Sequence, residues 1–296
     1  MLQQRVVRGT QRVVAVARLF KWAGAAIALV LVLGVPMASA SGQPTVGLGT
    51  AGSFAVLAGQ GVTNTGPTVV HGDLGTSPNP AVTGFPPGKV TGAIHKADAV
   101  ALQAQSDLTT AYNDAAGRTP VTTIATQLGG QTLKPGVYNS ASGTFQITGT
   151  LTLDAQGDPN GVFIFQTAST LVTASTSRVS LLGSAGACNV FWKVGSSATL
   201  GTNSNFTGNI LALTSSQVQT GVTVDGRVLA RNASVTLDDD TITSAACVPS
   251  GGVPTGGGST AGLQDQGLLA VGFALLVAAG AAFAVRRRVI RKGSPS

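Results

Sequence analysis

Three pairs of small polar side chains recur along the chain with the same internal spacing. They follow the pattern Thr-x-x-Thr or Thr-x-x-Asn, and they are Thr173 and Thr176, Thr202 and Asn205, and Thr220 and Thr223. The residues are uncharged, and the pattern lacks the base that would turn a hydroxyl into a nucleophile. Repeated methyl, hydroxyl and amide groups suit non-covalent contact, so the pairs are interpreted as candidate binding residues, with no catalytic residue among them.

The segments that carry these pairs are themselves repeated. GNILA (208–212) and GRVLA (226–230) share one pattern at an offset of 18 residues, and TLVTAS (170–175) and TLGTNS (199–204) match at an offset of 29. Repeats of this length are typical of a β-solenoid. Aligned in this way, the pairs would stack about 4.8 Å apart as a ladder. Residues three apart point to opposite faces of a straight strand, so the ladder needs a bend. The alternative is that threonine is simply a common strand residue.

Most of the rest of the chain between its two ends is predicted to form short strands, and one segment is predicted to form a helix. Apolar, β-rich runs separated by Gly, Asn, Ser and Asp occur at 162–165, 190–194, 209–213 and 227–230. A long helix is predicted over residues 93–117, because its apolar residues fall on one stripe. The stripe consists of Ala97, Ala101, Ala104, Leu108, Ala111, Tyr112 and Ala115. Its small side chains predict that the helix packs closely against the β body.

The two ends of the chain have the features of export and membrane attachment. Residues 1–40 combine basic residues, a short apolar run and an Ala-Ser-Ala site, which predicts a cleaved signal peptide. The alternative is an uncleaved membrane helix. The body spans 41–247, followed by a Gly/Pro/Ser/Thr linker (248–267), a candidate transmembrane anchor (268–285) and a basic cytoplasmic tail (286–296). The linker sequence VPTGG also leaves open a sortase signal.

The charge distribution excludes one class of partner. The chain has a formal net charge of +7, but its basic residues cluster at the two ends and all 11 acidic residues lie between them. The body is therefore mildly acidic. Nucleic-acid binding is not expected, because contacts to phosphates require clustered Lys and Arg.

The chain has two cysteines, Cys188 and Cys247. An even pair in an exported protein predicts a disulfide. Closing a loop of about 60 residues would stabilise the fold by roughly 4 kcal/mol through chain entropy. The alternative is two separate thiols.

Signals for enzymatic or metal chemistry are weak. GLGTAG (47–52) has the spacing of a dinucleotide-binding loop but lacks the helix that should follow it. His71 and His95 lack the spacing of metal ligands, so a solvated or locally bonded role is favoured. Asp238, Asp239 and Asp240 could bind calcium, yet no ligand loop surrounds them and a solvated turn is favoured. No metal, cofactor or small-molecule substrate is expected.

Several motifs, in order along the chain, carry a resemblance to a known family. They include LGTAGSFAVLAGQGVTNTG (48–66), GDLGTSP (72–78), TGFPPG (83–88), LKPGVY (133–138) and GRVLARNASVTLDDDTI (226–242). Together they cover nearly all of residues 46–247. The chain resembles the ice-binding-protein-like family, which includes secreted ice-binding proteins of bacteria, fungi and algae.

This resemblance implies a fold and a function. The fold is mainly β: a right-handed, discontinuous β-solenoid of triangular section with one long α-helix packed alongside. The implied partner is the surface of an ice crystal, bound by a flat solenoid face bearing T-[A/G]-x-[T/N] steps. Thr173–Thr176 and Thr220–Thr223 fit this pattern, and Thr202–Asn205 departs at its second position.

The combined expectation is a non-enzymatic ice-binding protein on the extracellular face of the cell membrane or cell wall, held by its C-terminal anchor. One alternative is a surface adhesion or structural module that has the same fold but does not bind ice. Another is a solenoid enzyme that processes glycans, which would require a cluster of carboxylates along one face.

Overall fold

The computed structural model describes residues 42–245. The predicted signal peptide, Cys247, the linker, the apolar run 268–285 and the basic tail lie outside the described residues. Within 42–245, no helix has both the length and the apolar character that crossing a bilayer requires.

Residues 42–245 form 22 β-strands, one α-helix and two short 3-10 helices, Gly49–Ser53 and Ala187–Asn189. The elements are β1 (Phe54–Ala58), β2 (Gly61–Thr65), β3 (Val69–His71), β4 (Asp73–Thr76), β5 (Val82–Thr83), β6 (Lys89–Val90), β7 (Ile94–Lys96), α1 (Ala99–Gly117), β8 (Val121–Ile124), β9 (Thr132–Leu133), β10 (Gly136–Ser140), β11 (Phe145–Ile147), β12 (Thr150–Asp154), β13 (Phe163–Thr167), β14 (Leu171–Thr173), β15 (Arg178–Leu182), β16 (Val190–Val194), β17 (Ala198–Leu200), β18 (Asn205–Ala212), β19 (Ser216–Val218), β20 (Thr223–Ala230), β21 (Ser234–Asp238) and β22 (Thr241–Thr243).

All pairings between these strands are parallel, and they arrange the described chain in three rows. Row 1 is a seven-stranded sheet in the order β11, β14, β17, β19, β21, β2, β5. Row 2 runs β9, β12, β15, the first part of β18, the first part of β20, β22, β3, β6. Row 3 runs β8, β10, β13, β16, the second part of β18, the second part of β20, β1, β4, β7.

The chain visits row 3, then row 1, then row 2, and returns to row 3. Gly208 pairs with Gly226 and Ile210 with Val228, which confirms the 18-residue repeat predicted from GNILA and GRVLA. Both glycines have φ values in the region that favours glycine, 115° and 148°, at the point where β18 and β20 turn from row 2 into row 3. A side chain at this bend would collide with the neighbouring circuit.

The predicted offset of 29 residues between the earlier repeats is wrong by two. Leu171 pairs with Ala198 and Val172 with Thr199, an offset of 27. The shared letters of TLVTAS and TLGTNS suggested another alignment, but the pairing follows the buried residues. Under the predicted offset the buried Thr173 would lie opposite the partly exposed Thr202, whereas the observed offset sets Thr173 in line with the buried Leu200.

The N-terminal strands do not begin the stack. β1 packs beside β20, with Val56 opposite Val228, and β2 packs beside β21, with Val62 opposite Val235. Residues 54–96 therefore extend the stack beyond its last circuit, although they come first in the chain. The helix α1 follows β7 and precedes β8, which pairs at the opposite end of row 3. It thus carries the chain back along that row.

The helix begins later than predicted, at Ala99 instead of residue 93. Ile94–Lys96 instead pair with Leu74–Thr76 as a strand, and Ala97 has a left-handed φ of 51° that ends this strand. The predicted stripe, apart from Ala97, is buried. It packs on apolar residues of row 3, among them Ile164, Phe191 and Leu211. Alanines allow this close approach, and row 3 is covered as a result.

The core between the rows is apolar and includes a column of aromatic rings. Tyr138, Phe165 and Trp192 occupy one register on neighbouring strands. The Phe165 and Trp192 rings stack with centroids 4.0 Å apart. The indole N–H of Trp192 donates to the carbonyl of Thr207 at 3.1 Å, so its one polar atom is satisfied inside the core.

The start of α1 provides a stability prediction. The Asp98 carboxylate accepts the backbone N–H of Ala101 at 2.8 Å, the bond of a helix N-cap. We expect Asp98→Ala to lower the free energy of unfolding measurably, because that N–H loses its acceptor. Asp98→Asn retains a capping oxygen and should cost far less. Urea denaturation of the two variants measures the difference, and equal losses would contradict a capping role.

Candidate functional site

The outward side of row 1 presents one continuous ladder of uncharged side chains. Consecutive pairings join seven outward-facing residues: Gln146, Val172, Thr199, Gln217, Thr236, Thr63 and Thr83. At the usual strand separation of about 4.8 Å, the six steps span about 29 Å. Four of the seven are threonines, and none is ionisable.

A second hydroxyl line borders this ladder where the chain enters row 1. Thr144, Thr170, Ser197 and Ser215 each stand immediately before a row 1 strand. The hydroxyls of Ser197 and Ser215 are 2.8 Å apart, and Thr170 donates to Thr144 at 3.4 Å. These mutual bonds orient the side chains and extend the uncharged surface beyond the strands themselves.

The sequence-predicted pairs lie at the other border, where row 1 turns into row 2. Asn205 pairs with Thr223 as predicted. The N–H of Asn203 donates to the carbonyl of Thr220 at 3.0 Å, which continues that register and sets Thr202 beside Thr220. The required bend is present, because Asn203 and Gly221 have left-handed φ values of 56° and 75°. Thr202 and Thr220 thus flank row 1, while Asn205 and Thr223 face outward from row 2.

The third pair is not equivalent to the other two. Thr173 is 4 % exposed, and its hydroxyl accepts the N–H of Gly201 at 2.8 Å. Thr176 is exposed but occupies the left-handed corner position beside Asn203, as its N–H bond to the Thr202 carbonyl shows. In register with Asn205 stands Arg178. The predicted alignment of Thr173 and Thr176 with Thr202 and Asn205 is therefore wrong. The two circuits pair at an offset of 27 residues, and the alignment assumed 29.

The other two rows differ from row 1 in chemistry or accessibility. Outward positions of row 2 include the charged residues Arg178, Asp225 and Lys89, together with His71. The outward apolar residues of row 3 are buried beneath α1. Row 1 is therefore the accessible surface with a continuous uncharged ladder.

Comparison with known proteins bears directly on what such a surface does. A family model described as ice-binding-like matches residues 56–243. The chain belongs to the ice-binding-like family. An ice-binding protein of Nostoc sp. (strain HG1) is 52 % identical over 200 residues, covering 67 % of this chain and 74 % of the relative. One from Colwellia sp. is 40 % identical over 224 residues, covering 69 % and 86 %.

Solved structures agree with this family membership. An ice-binding protein from the Antarctic ascomycete Antarctomyces psychrotrophicus has a TM-score of 0.66 at 45 % identity, covering 68 % of this chain and 99 % of its own. Another, from an Antarctic biological consortium, has a TM-score of 0.68 at 46 % identity, with coverages of 70 % and 94 %. The described architecture, parallel sheets with one helix, is that of these ice-binding proteins.

A buried carboxyl group, that of Asp240, lies at the corner beside Thr220. Asp240 accepts the N–H groups of Val222 and Asp238 at 2.9 and 2.8 Å. Burial raises the pKa of Asp240 to about 7, and the nearby charges of Asp238 and Asp239 act in the same direction. Asp238 in turn accepts the hydroxyl of Thr220. The corner is therefore organised by an acid that is partly protonated near neutral pH.

This carboxyl predicts a pH dependence of stability. The pKa of Asp240 is raised above its unfolded value, so between pH 4 and 7 the folded state binds more protons than the unfolded state. We expect the free energy of unfolding to fall as the pH rises from about 5 to 7, by at most about 1.4 kcal/mol per unit. Asp240→Asn should lack this slope. Chemical denaturation at several pH values measures it, and parallel profiles would contradict the assignment.

Other candidate sites of the sequence have local roles or form no ligand cluster. His95 Nδ1 lies 2.7 Å from Asp98 Oδ2 beside the helix start, which is the locally bonded role that was favoured. Asp239 occupies a left-handed turn. Among residues 42–245, no group of three His, Cys, Asp or Glu side chains is placed to hold a metal ion.

Sequence reasoning missed the central ladder of row 1. Thr199, Thr236 and Thr63 are middle residues of strands whose flanking residues point inward, as in Ala-Thr-Leu and Val-Thr-Leu. Alternation of polar and apolar residues was the available signal. The position of Thr63 could not be found from spacing, because β2 joins β21 from a distant part of the chain.

Proposed function

We propose that this protein binds ice, and that the contact surface is row 1 together with the corner bearing Thr202 and Thr220. The observation that carries the proposal is the ladder of seven uncharged side chains in continuous register. Family membership and relatives named as ice-binding proteins support it. The function is adsorption, with no catalytic step.

We infer that the three rows are the sides of a right-handed, discontinuous β-solenoid of triangular section. The 18-residue circuit through rows 3, 1 and 2 supports this inference. So does the N-terminal extension of the stack beside β20. In such a body, row 1 is one whole side, and its strands are held by the apolar core behind them.

The mechanism follows from the stiffness and neutrality of that side. Threonine methyl groups seat between water molecules, and the hydroxyls take part in hydrogen bonds with them. Each contact is weak, but side chains held in register by a sheet lose little entropy when they bind. Charged side chains hold their own hydration water strongly, and the row 1 ladder has none.

We further propose that the protein acts at the cell surface. Support comes from the sequence alone: the signal-like residues 1–40, the Gly/Pro/Ser/Thr composition of 248–267 and the apolar run 268–285 with its basic tail. A tethered ice-binding domain would attach a cell to ice, or shield the envelope from it. Protease treatment of intact cells, followed by detection of the domain, tests this location, and full protection would contradict it.

Adsorption itself is tested by ice-affinity partition of the purified domain, residues 41–250. The domain should concentrate in slowly grown ice and should shape single crystals held just below the melting point. Partition equal to that of a non-binding protein of similar size, with crystals that stay disc-shaped, would instead favour the adhesion or structural module.

A further inference from the structure

A second line of outward side chains borders the ladder where the chain leaves row 1. In five neighbouring circuits the chain turns out of row 1 at a residue with a left-handed φ, between 56° and 75°. These residues are Thr176, Asn203, Gly221, Asp239 and Gly66. The residues immediately before them are here called the exit line: Ser175, Thr202, Thr220, Asp238 and Thr65.

Backbone hydrogen bonds hold the exit line in register. The N–H of each left-handed residue donates to the carbonyl of the exit-line residue in the next circuit, at 2.9–3.0 Å. The four bonds run from residue 176 to 202, from 203 to 220, from 221 to 238 and from 239 to 65. At the usual strand separation of about 4.8 Å, the five exit-line residues span about 19 Å. The line therefore runs beside the ladder along most of row 1.

Asp238 differs from every other residue of the ladder and the exit line, because it is the one that can ionise. It is the last residue of β21 and lies two positions after Thr236, so the two side chains point to the same side of the sheet. It is partly exposed and pairs with the exposed Thr65. A carboxylate thus interrupts a surface that is otherwise made of hydroxyl, methyl and amide groups.

The charge of this carboxylate is not neutralised by a cation. Its Oδ2 accepts the hydroxyl of Thr220. Within residues 42–245, no Lys, Arg or His forms an ion pair with Asp238. The charges beside it are acidic: burial is the main cause of the raised pKa of Asp240, and the charges of Asp238 and Asp239 add to it. Asp238 therefore depends on water for most of its solvation.

Contact with a crystal would disturb that water. Taking a charged group out of bulk water costs more than taking out a hydroxyl or an amide, unless a partner of opposite charge replaces the water. Thr220 supplies one hydrogen bond and no charge. Its neighbours in the exit line, Thr220 and Thr65, do not carry this penalty. The cost of adsorption is consequently concentrated at one position of row 1.

We propose that Asp238 limits the affinity of row 1 for ice. Its hydrated carboxylate keeps the crystal from close contact with the exit line at Thr220 and Thr65, so that this part of the surface contributes little to adsorption. A neutral residue at position 238 would extend close contact over all five exit-line residues. This inference rests on the proposed function and names the residue that sets the strength of adsorption.

The purified full chain and its Asp238→Asn variant test the proposal. Asparagine removes the charge and retains an oxygen that can accept the Thr220 hydroxyl. The concentration needed for a given thermal hysteresis should fall about tenfold, which corresponds to about 1.4 kcal/mol of binding free energy. Asp238→Thr, which matches Thr220 and Thr65, should show a similar gain. Asp238→Glu retains the charge and should show none.

Asp225→Asn is the matched control. Asp225 is exposed on row 2, opposite Thr207 and Thr243, and its replacement changes the net charge by the same amount. This variant should behave as the parent does. An equal gain in Asp225→Asn would overturn the proposal, because net charge and not position would then be responsible. A gain in Asp238→Glu would overturn it as well.

The outcomes also separate this proposal from the proposed function. If the parent shows hysteresis and neither Asp238→Asn nor Asp238→Thr improves it, the proposal is wrong and ice binding stands. If the parent is inactive and the two neutral variants are active, the proposal is supported and the function proposed for the parent is contradicted. If all these proteins are inactive while urea denaturation shows them folded, both are wrong.

Discussion

Thr236→Tyr should reduce thermal hysteresis at least about tenfold while leaving the fold intact. Thr236 is exposed at the centre of β21, between Gln217 and Thr63 in the ladder. A tyrosine ring there would stand above its neighbours and hold the other side chains away from a crystal plane. Losing as little as 1.4 kcal/mol of binding free energy weakens affinity tenfold. Aromatic residues suit exposed strand positions, so stability should change little.

The matched control is the same substitution on another side. Thr243 is exposed at the end of β22 in row 2, where it pairs with Asp225 and His71. Thr243→Tyr should retain hysteresis near the parent level. If the two variants lose activity equally, the ice-contact surface is not confined to row 1. If only Thr243→Tyr loses it, row 2 is the surface and the present assignment is wrong.

Gly226→Val should lower the free energy of unfolding by about 2–6 kcal/mol or prevent folding. Gly226 has a φ of 148°, a conformation that costs a branched residue roughly 1–3 kcal/mol. A Cβ atom at this position would also overlap the carbonyl oxygen of Gly208 in the neighbouring circuit. Relieving that overlap requires the two circuits to separate, at a further cost of about 1–3 kcal/mol.

Gly117→Ala is the control for this variant. Gly117 is the last residue of α1, has no left-handed φ, and a Cβ built there meets no atom within 4 Å. The substitution should leave stability unchanged or raise it by about 0.5–1 kcal/mol. Thermal and urea unfolding of both variants measure the difference. A folded Gly226→Val domain of parental stability would show that the close stacking of circuits is not required.

Part of this fold could be predicted because some of its structural residues recur at regular intervals in the sequence. Gly208 and Gly226 show the 18-residue circuit directly, since the bend admits no side chain on either strand. The alanine stripe of α1 predicted both a helix and its close packing. Its start was placed too early because residues 94–96 share the helical spacing. Their pairing with β4, a contact between distant segments, decides otherwise.

The candidate site was predicted less well, and the reason is physical. Equivalence between circuits is set by which residues point inward, and identical letters are a weaker guide. Thr173 and Thr202 have similar neighbours in the sequence. In the structure, however, Thr173 is buried, and the two circuits pair two residues away from the alignment that these letters suggest. Thr63 and Thr83 belong to the ladder only because the N-terminal strands stack on the last circuit. No local pattern carries that information.

The most direct test of row 1 as the ice-contact surface is solid-state NMR of the isotopically labelled domain in frozen solution. Polarisation from ice protons should reach the methyl groups of Thr63, Thr199 and Thr236 faster than those of Thr223, Thr241 and Thr243 on row 2. Equal build-up on the two rows, or faster transfer to row 2, would contradict the account.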